Sequence, residues 1–296
     1  MSINRSALRA FHAVASEGGF SRAARALGLT QPTLSGQVKA LEETYGVRLF
    51  DRRGRRVRLT ELGSGLLDLT RRLYTLEGEA EQLLAAERGL KRGHLRLGAD
   101  APYGVMKLMA AFGRRYSGIR VTVATGNSEA LLQALFDHRL DVAVVANVAP
   151  DPRLHALALR RDRLVAFVGQ DHPWRRRRQV TLVELAAQRL ILRERGSTTR
   201  RIFETALARA GIPLNDSIEI ASREAVREAV AAGLGVGIVA EAEFGNDPRL
   251  KAIAIADTRL DSVEYLVCLA DRRELRLVHA FFDLAGHEPT TRLTAG

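Results

Sequence analysis

The chain has one cysteine in 296 residues, Cys268 in the apolar run YLVCLA. It can therefore form neither an intrachain disulfide nor a multi-thiolate metal site, and a buried structural thiol is the expectation. No apolar run approaches the ~18 residues that a membrane span needs. The opening MSINRSALRA also lacks the continuous apolar stretch of a signal peptide, so a cytoplasmic chain without membrane contact is expected. The signatures of enzyme chemistry are missing as well: there is no GxSxG and no GxxxxGK[ST]. His12, His94, His138, His155, His172, His279 and His287 never pair at metal-ligand spacing. Gly233, Gly235 and Gly237 in AAGLGVGIVAE follow a helical pattern and precede a strand, the reverse of the order in a dinucleotide fingerprint. No catalytic residue, metal or cofactor is expected.

What is present is an ordinary globular composition, 46% hydrophobic and 27% charged, long enough for two or three domains. The net charge is +11 and it is concentrated at the front, where residues 1–60 hold eleven basic against four acidic side chains. That distribution points to a polyanionic partner.

Residues 5–17 place Leu8, Phe11 and Ala15 on one helical face, and Gly18 and Gly19 stop that helix. A second helix is expected from Ser21 as N-cap to Leu27, with Gly28 taking a positive φ at the turn. Thr30 then caps a third helix with Pro32 in its first turn. On that helix Leu34, Val38, Leu41 and Tyr45 follow 4, 3, 4 spacing and are expected to face inward. Pro32, Thr33, Gly36 and Lys39 then face outward. Small outward side chains let a helix lie deep in a major groove, with Gln31, Thr33 and Ser35 bonding base edges or phosphates and Lys39 the backbone. VRLFDRRGRRVRLT reads as a hairpin whose tip carries Arg52, Arg53, Arg55 and Arg56, suited to phosphate oxygens. Arg22 and Thr30 complete the candidate DNA contacts. From Glu61 to about Glu87, Leu62, Leu66, Leu69, Leu73, Leu76, Ala80 and Leu83 alternate 4 and 3 apart, a seam for packing on another helix, as in a dimer, or on the chain's own core.

The remaining two hundred residues alternate strand and helix in two successive α/β series, and EYLVCLA with LRLVHAFFDLAG returns to the first. Such units offer a ligand crevice at the carboxyl ends of their strands. The strand-to-helix junctions GADAPYG, GNSEA and RERGSTTRR bring Ser128, Ser197, Thr198 and Thr199 hydroxyls and Arg195 to helix N-termini, an anion-binding set if the fold assembles them. RRRR at 175–178 reads as a solvated charge run in a loop.

The stretch AFHAVASEGGFSRAARALGLTQPTLSGQVKALEETYGVRLFDRRGRRVRLTELG, together with the architecture after it, resembles the LysR-type transcriptional regulators. The resemblance implies an N-terminal all-α winged helix-turn-helix at 1–60 and a long linker or dimerisation helix at 61–89. A two-lobed α/β effector domain resembling periplasmic binding proteins follows at 93–296, lobe I at about 93–162 and 268–296 and lobe II at about 163–267. It implies double-stranded operator DNA as partner and a homodimer or homotetramer. Gln31, Pro32, Thr33 and Ser35 would meet the major groove and Arg53 with its neighbours the backbone or minor groove. Many members carry Arg where this chain has Gly36, so that contact is missing.

The second half also resembles LysR regulators associated with 2-aminoethylphosphonate catabolism, through LRLGADAPYGVM, GNSEALLQAL, DPRLHALALRRDRLVAFVGQDHPW, REAVREAVAAGLGVGIVAEAEFGNDPRL and EYLVCL. A phosphonate would suit Arg195 with the Ser128, Ser197, Thr198 and Thr199 donors, and a cationic amine would suit Asp100 or Glu241. Tyr103 and Asn127 would line the same crevice. Another small acid, such as an amino acid or aromatic carboxylate, would suit the crevice too. An enzyme would need catalytic residues that are not found, and a solute-binding protein would share the lobes but not the basic front.

Overall fold

The computed structural model describes residues 3–51, 57–84 and 93–287. The chain divides into two compact units, Met1–Glu87 and Arg88–Gly296. Among the described residues no helix is long and apolar enough to cross a membrane.

The first unit packs α1 (Arg5–Glu17), α2 (Phe20–Leu27) and α3 (Gln31–Tyr45) around Leu8, Phe11, Val14, Leu34 and Val38, all buried. The caps are local chemistry. Gly18, Gly28 and Gly46 close the three helices at φ of 65–66°, and Thr30 Oγ1 accepts from the Thr33 N–H. The second helix starts one residue before the expected Ser21 cap, from Gly19, with no side-chain cap. Its burial of Phe20 against Phe50 fixes that start instead. Tyr45 is not inward: it is 45% exposed at the last position of α3, where the helix has run past the core.

β1 (Phe50–Asp51) and β2 (Arg58–Leu59) pair antiparallel as expected for a hairpin. Buried Glu42 ties α3 to it by accepting from the Leu49 and Phe50 N–H groups at 2.8 and 3.3 Å. The tip residues Arg52, Arg53, Arg55 and Arg56 lie outside the described residues.

α4 (Glu61–Leu84) packs on α1 through buried Leu67 and Thr70, with His12 Nδ1 2.9 Å from Thr70 Oγ1. Burial, with Arg71 nearby, pushes the His12 imidazole down to about 4, so it packs uncharged. The expected seam divides: Leu66 packs on the core of this unit, whereas Leu62, Leu69, Leu73 and Leu76 are exposed by 53, 60, 42 and 61%, left uncovered by the described residues of the unit. A Cβ on Gly63 would stand 2.1 Å from the Leu49 carbonyl oxygen, whereas one on Gly65 would meet nothing within 4 Å. Gly63→Ala should therefore destabilise this unit by about 1–3 kcal/mol through overpacking against backbone. Gly65→Ala should be neutral or stabilise by up to about 1 kcal/mol through helix propensity. Denaturant melts of the two variants check this pair.

The second unit opens with β3 (Gly93–Ala99), α5 (Pro102–Arg115), β4 (Ile119–Thr125), α6 (Ser128–Phe136) and β5 (Val142–Ala146). β3 pairs parallel with β4 and with β5, the expected α/β unit. β6 (Leu154–Gly169) is one 16-residue strand that belongs to both lobes. Its first part, from Leu154 to Arg163, pairs with β12 (Asp261–Leu269), and its second part pairs with β10 (Val236–Ala240) and β11 (Leu250–Ile255). β12 also pairs with β5 from Glu264 to Val267, so the chain has returned to lobe I before 268, at the Leu260–Asp261 step.

Between these crossings β7 (Gln179–Val180), α7 (Leu182–Ala186), β8 (Leu190–Arg193), α8 (Thr198–Arg209), β9 (Ser217–Ile220), α9 (Arg223–Ala231), β10, α10 (Glu241–Phe244) and β11 form lobe II around Leu164, Leu190, Phe203 and Ile238. α11 (Arg276–His287) covers the lobe I sheet with Val278, Phe281 and Phe282.

Cys268 is fully buried, and burial pushes its thiol up to about 12, which removes thiolate chemistry. The 175–178 arginines are not simply solvated. Arg177 pairs with Glu184 at 2.6 Å and stands 5.5 Å from the Trp174 ring centroid.

Candidate functional site

Two surfaces carry chemistry. On the first, α3 presents Gln31, Pro32, Thr33 and Lys39 exposed and Ser35 half-buried beside buried Leu34 and Val38. Local bonds hold several of these groups. Ser21 Oγ donates to Gln31 Oε1 at 3.2 Å, the Thr30 and Thr33 hydroxyls are 2.7 Å apart, and Arg22 Nη2 donates to the Gly18 carbonyl at 3.0 Å. Lys39 pairs with Glu43 at 3.3 Å, both about two-thirds exposed, a contact worth little in water. A Cβ on Gly36 would meet nothing within 4 Å, so no packing demand within the unit explains that glycine.

The second surface lies between the lobes, at the carboxyl ends of parallel strands, where loops after β3, β4, β5, β8 and β10 converge. Asp100 Oδ2 accepts from the Ser128 hydroxyl at 2.5 Å and from the Ala146 N–H at 2.9 Å. The Ser128 proton being used there, its oxygen is free to accept from the Thr198 hydroxyl 3.0 Å away, while Thr198 also lies 3.2 Å from the Ala146 carbonyl. This relay joins α8 of lobe II to α6 and β3 of lobe I, and Ser128 and Thr198 are each only 3% exposed. Arg201 Nη2 donates to Thr198 Oγ1 at 3.3 Å and to the Asn147 carbonyl at 3.4 Å.

Beside the relay, Asn127 caps α6 through the Ala130 N–H and donates across the crevice to Glu194 Oε1 at 3.1 Å and the Arg195 carbonyl at 3.4 Å. Burial opposes ionisation of Glu194, yet hydrogen bonds from Arg193 and Asn127 hold its carboxyl below the usual range. Gly196, at φ 89°, is needed at this crossing, since a Cβ there would stand 2.9–3.0 Å from Glu129 and Asn127. Arg223 Nη1 donates to the Asp100 carbonyl at 2.6 Å and its Nη2 is 3.0 Å from Glu243 Oε2.

The expected effector residues therefore divide. Asp100, Asn127, Ser128 and Thr198 come together. Ser197 is buried as the N-cap of α8 without a capping bond, and Thr199 is half-buried one residue on. The side chain of Tyr103 lies outside the described residues. Arg195 is exposed and only its carbonyl enters the network, because Gly196 turns the chain there. Glu241 is elsewhere: it accepts from Arg163 at 2.7 Å and lines a separate cavity of about 800 Å³ with Arg161, Asp257 and Asp261.

Sequence reading does not point to Arg223, Glu243, Glu264 or Arg160. Arg223 opens REAVREAV, which reads as a solvated helix face, and Glu243 sits two residues from Glu241 on a four-residue helix.

A helix-turn-helix head followed by a two-lobed α/β unit whose polar groups converge at the strand ends is the build of a DNA-binding regulator. Residues 6–64 match the bacterial regulatory helix-turn-helix protein, lysR family, and residues 88–289 match the LysR substrate binding domain. The chain belongs to the LysR family of transcriptional regulators; it is a DNA-binding regulator and not an enzyme. It is 34% identical over 241 residues to a RuBisCO operon transcriptional regulator of Allochromatium vinosum, covering 81% of this chain and 80% of that one. It is 32% identical over 231 residues to the HTH-type transcriptional activator CmpR of Synechocystis sp., covering 77% and 76%. A full-length OxyR point variant from Pseudomonas aeruginosa has the same fold at a TM-score of 0.74 and 24% identity, covering 96% of this chain and 95% of that one.

Proposed function

We propose that the chain occupies a double-stranded operator as a homodimer or homotetramer in the cytoplasm, and that a small anionic or zwitterionic metabolite in the inter-lobe crevice changes its DNA contacts. The observation that supports this reading most is the buried Thr198–Ser128–Asp100 relay between the lobes. A ligand oxygen that accepts from Thr198 takes the place of Ser128 in the one bond of the relay that crosses the lobes, so its differential affinity for two lobe arrangements sets the response. Gln31, Pro32, Thr33 and Ser35 of α3 read base edges or adjacent phosphates, and Arg22, Thr30, Lys39, Arg52, Arg53, Arg55 and Arg56 fix the register on the backbone.

The 2-aminoethylphosphonate assignment rests on the sequence resemblance, and relatives bearing RuBisCO-operon and CmpR names give it no support. The effector class is set more broadly, as an acid bearing a phosphonate, phosphate or carboxylate. The test is calorimetry of the full chain against 2-aminoethylphosphonate, inorganic phosphate, phosphate esters and small carboxylates, with Thr198→Val in parallel. Saturable binding by one class, weakened in the variant, supports the crevice. Binding unchanged in the variant contradicts it, as does no heat from any acid at millimolar concentration.

A further inference from the structure

Next to the relay the crevice buries more acid than base. Glu264 on β12 and Glu243 on α10 stand with Asp100 after β3 and Asp162 on β6, and facing them are two guanidiniums, Arg160 on β6 and Arg223 on α9. The side chains of Glu243, Glu264 and Arg223 are exposed by 12, 11 and 14%.

The two aspartates are satisfied: Asp100 accepts from Ser128 and Ala146, and Asp162 accepts from the Ala242 and Arg163 N–H groups. Each glutamate is held by one arginine ion pair: Glu264 stands 3.5 Å from Arg160, and Glu243 Oε2, sealed from solvent, lies 3.0 Å from Arg223 Nη2 with no aligned hydrogen bond among the described residues. Gly104 of α5 meets the Glu264 carboxylate with bare backbone, since a Cβ there would lie 3.1 Å from both oxygens. Four carboxylates against two guanidiniums leave the cluster net negative, which is costly to bury until a proton or a cation joins it. Burial pushes the Glu264 carboxyl up to about 7 and raises that of Glu243, with Arg160 and Arg223 opposing the shift and the neighbouring acids adding to it.

We propose that the effector carries a cationic group, an ammonium in the simplest case, and that Glu243 and Glu264 receive it while Thr198 and Ser128 take its acid. The inference rests on the crevice being the effector site. An ammonium supplies the donors that Glu243 Oε2 lacks, and it displaces the proton that the glutamate pair otherwise binds. Affinity for such a ligand therefore falls as pH drops below about 7.

The experiment is calorimetry of the full-length chain with two matched pairs, 2-aminoethylphosphonate against ethylphosphonate and 3-aminopropionate against propionate. Each is run at pH 6 and pH 8 in buffers of different ionisation enthalpy. The carboxylate pair keeps its charges between these pH values, so its pH dependence belongs to the protein. The expected result is an amine preference of about tenfold or more, affinity about tenfold higher at pH 8 than at pH 6, and proton release on binding. Glu243→Gln and Glu264→Gln should each shrink the amine preference and leave binding of the deaminated partner in place. Equal or tighter binding of the deaminated partners overturns the cationic inference alone, as does a preference that survives both variants. Saturation by no member of either pair overturns it together with the effector reading.

Discussion

Leu69→Asp, Leu73→Asp and Leu76→Asp together should turn the chain into a monomer in sedimentation while leaving its helix content unchanged. These side chains are 60, 42 and 61% exposed on α4, opposite the face that packs on α1, so the first unit loses no core contact. In a paired helix each leucine taken fully out of water contributes about 1.5–3 kcal/mol, and three per chain exceed what a weak dimer needs. Two linked heads bind two half-sites at high effective concentration, so loss of pairing should lower operator affinity by about 10²–10⁴-fold. A variant that remains a dimer would place the interface elsewhere.

The second large effect is expected from Thr198→Val, which keeps shape and volume but removes the hydroxyl between the lobes. Ser128 and the Ala146 carbonyl then lose a neighbour in a site only 3% exposed at Ser128, a loss of about 1–3 kcal/mol from whichever lobe arrangement uses the bond. Because about 1.4 kcal/mol is tenfold in affinity, the effector's dissociation constant should rise about 5- to 150-fold. Serine at the same position should restore most of it. Binding and DNA response unchanged in both variants would remove Thr198 from the switch.

The head is legible in the sequence because its signals are local. Thr30 caps the helix that its position predicts, Gly28 takes the positive φ, and the spacing of Leu34, Val38 and Leu41 puts each in the core. Tyr45 continues the same spacing yet is exposed, since periodicity defines a face but not how far along the helix the core reaches. The long strand β6 is legible only in its apolar second part, LVAFVG. Before it the strand runs ALALRRDR: Leu157 and Leu159 pack on the lobe I core, and RRDR at 160–163 is half-buried to exposed, so the polar stretch interrupts the strand pattern.

At the crevice, the residues that cap helices are the legible ones, because Asn127 and Ser128 can be read from the strand-to-helix junction itself. Charged groups arriving from other elements cannot. Whether Glu241 or Glu243 turns into the crevice depends on one short helix, and Arg223 enters it only because α9 begins beside Asp100. The narrower phosphonate resemblance lies in the same half of the chain, and the names of the relatives lend it no support.

The most direct test of the regulator reading is fluorescence anisotropy of the full chain on its own upstream DNA and on a scrambled duplex of equal length, across a salt series. A preference for the upstream DNA of about 10³-fold or more is expected. Gln31→Ala should reduce that preference. Loss of Arg52, Arg53, Arg55 and Arg56 should weaken both duplexes alike with a shallower salt slope. Equal affinity for the two duplexes, or a Gln31→Ala variant that loses both equally, would contradict base reading by α3.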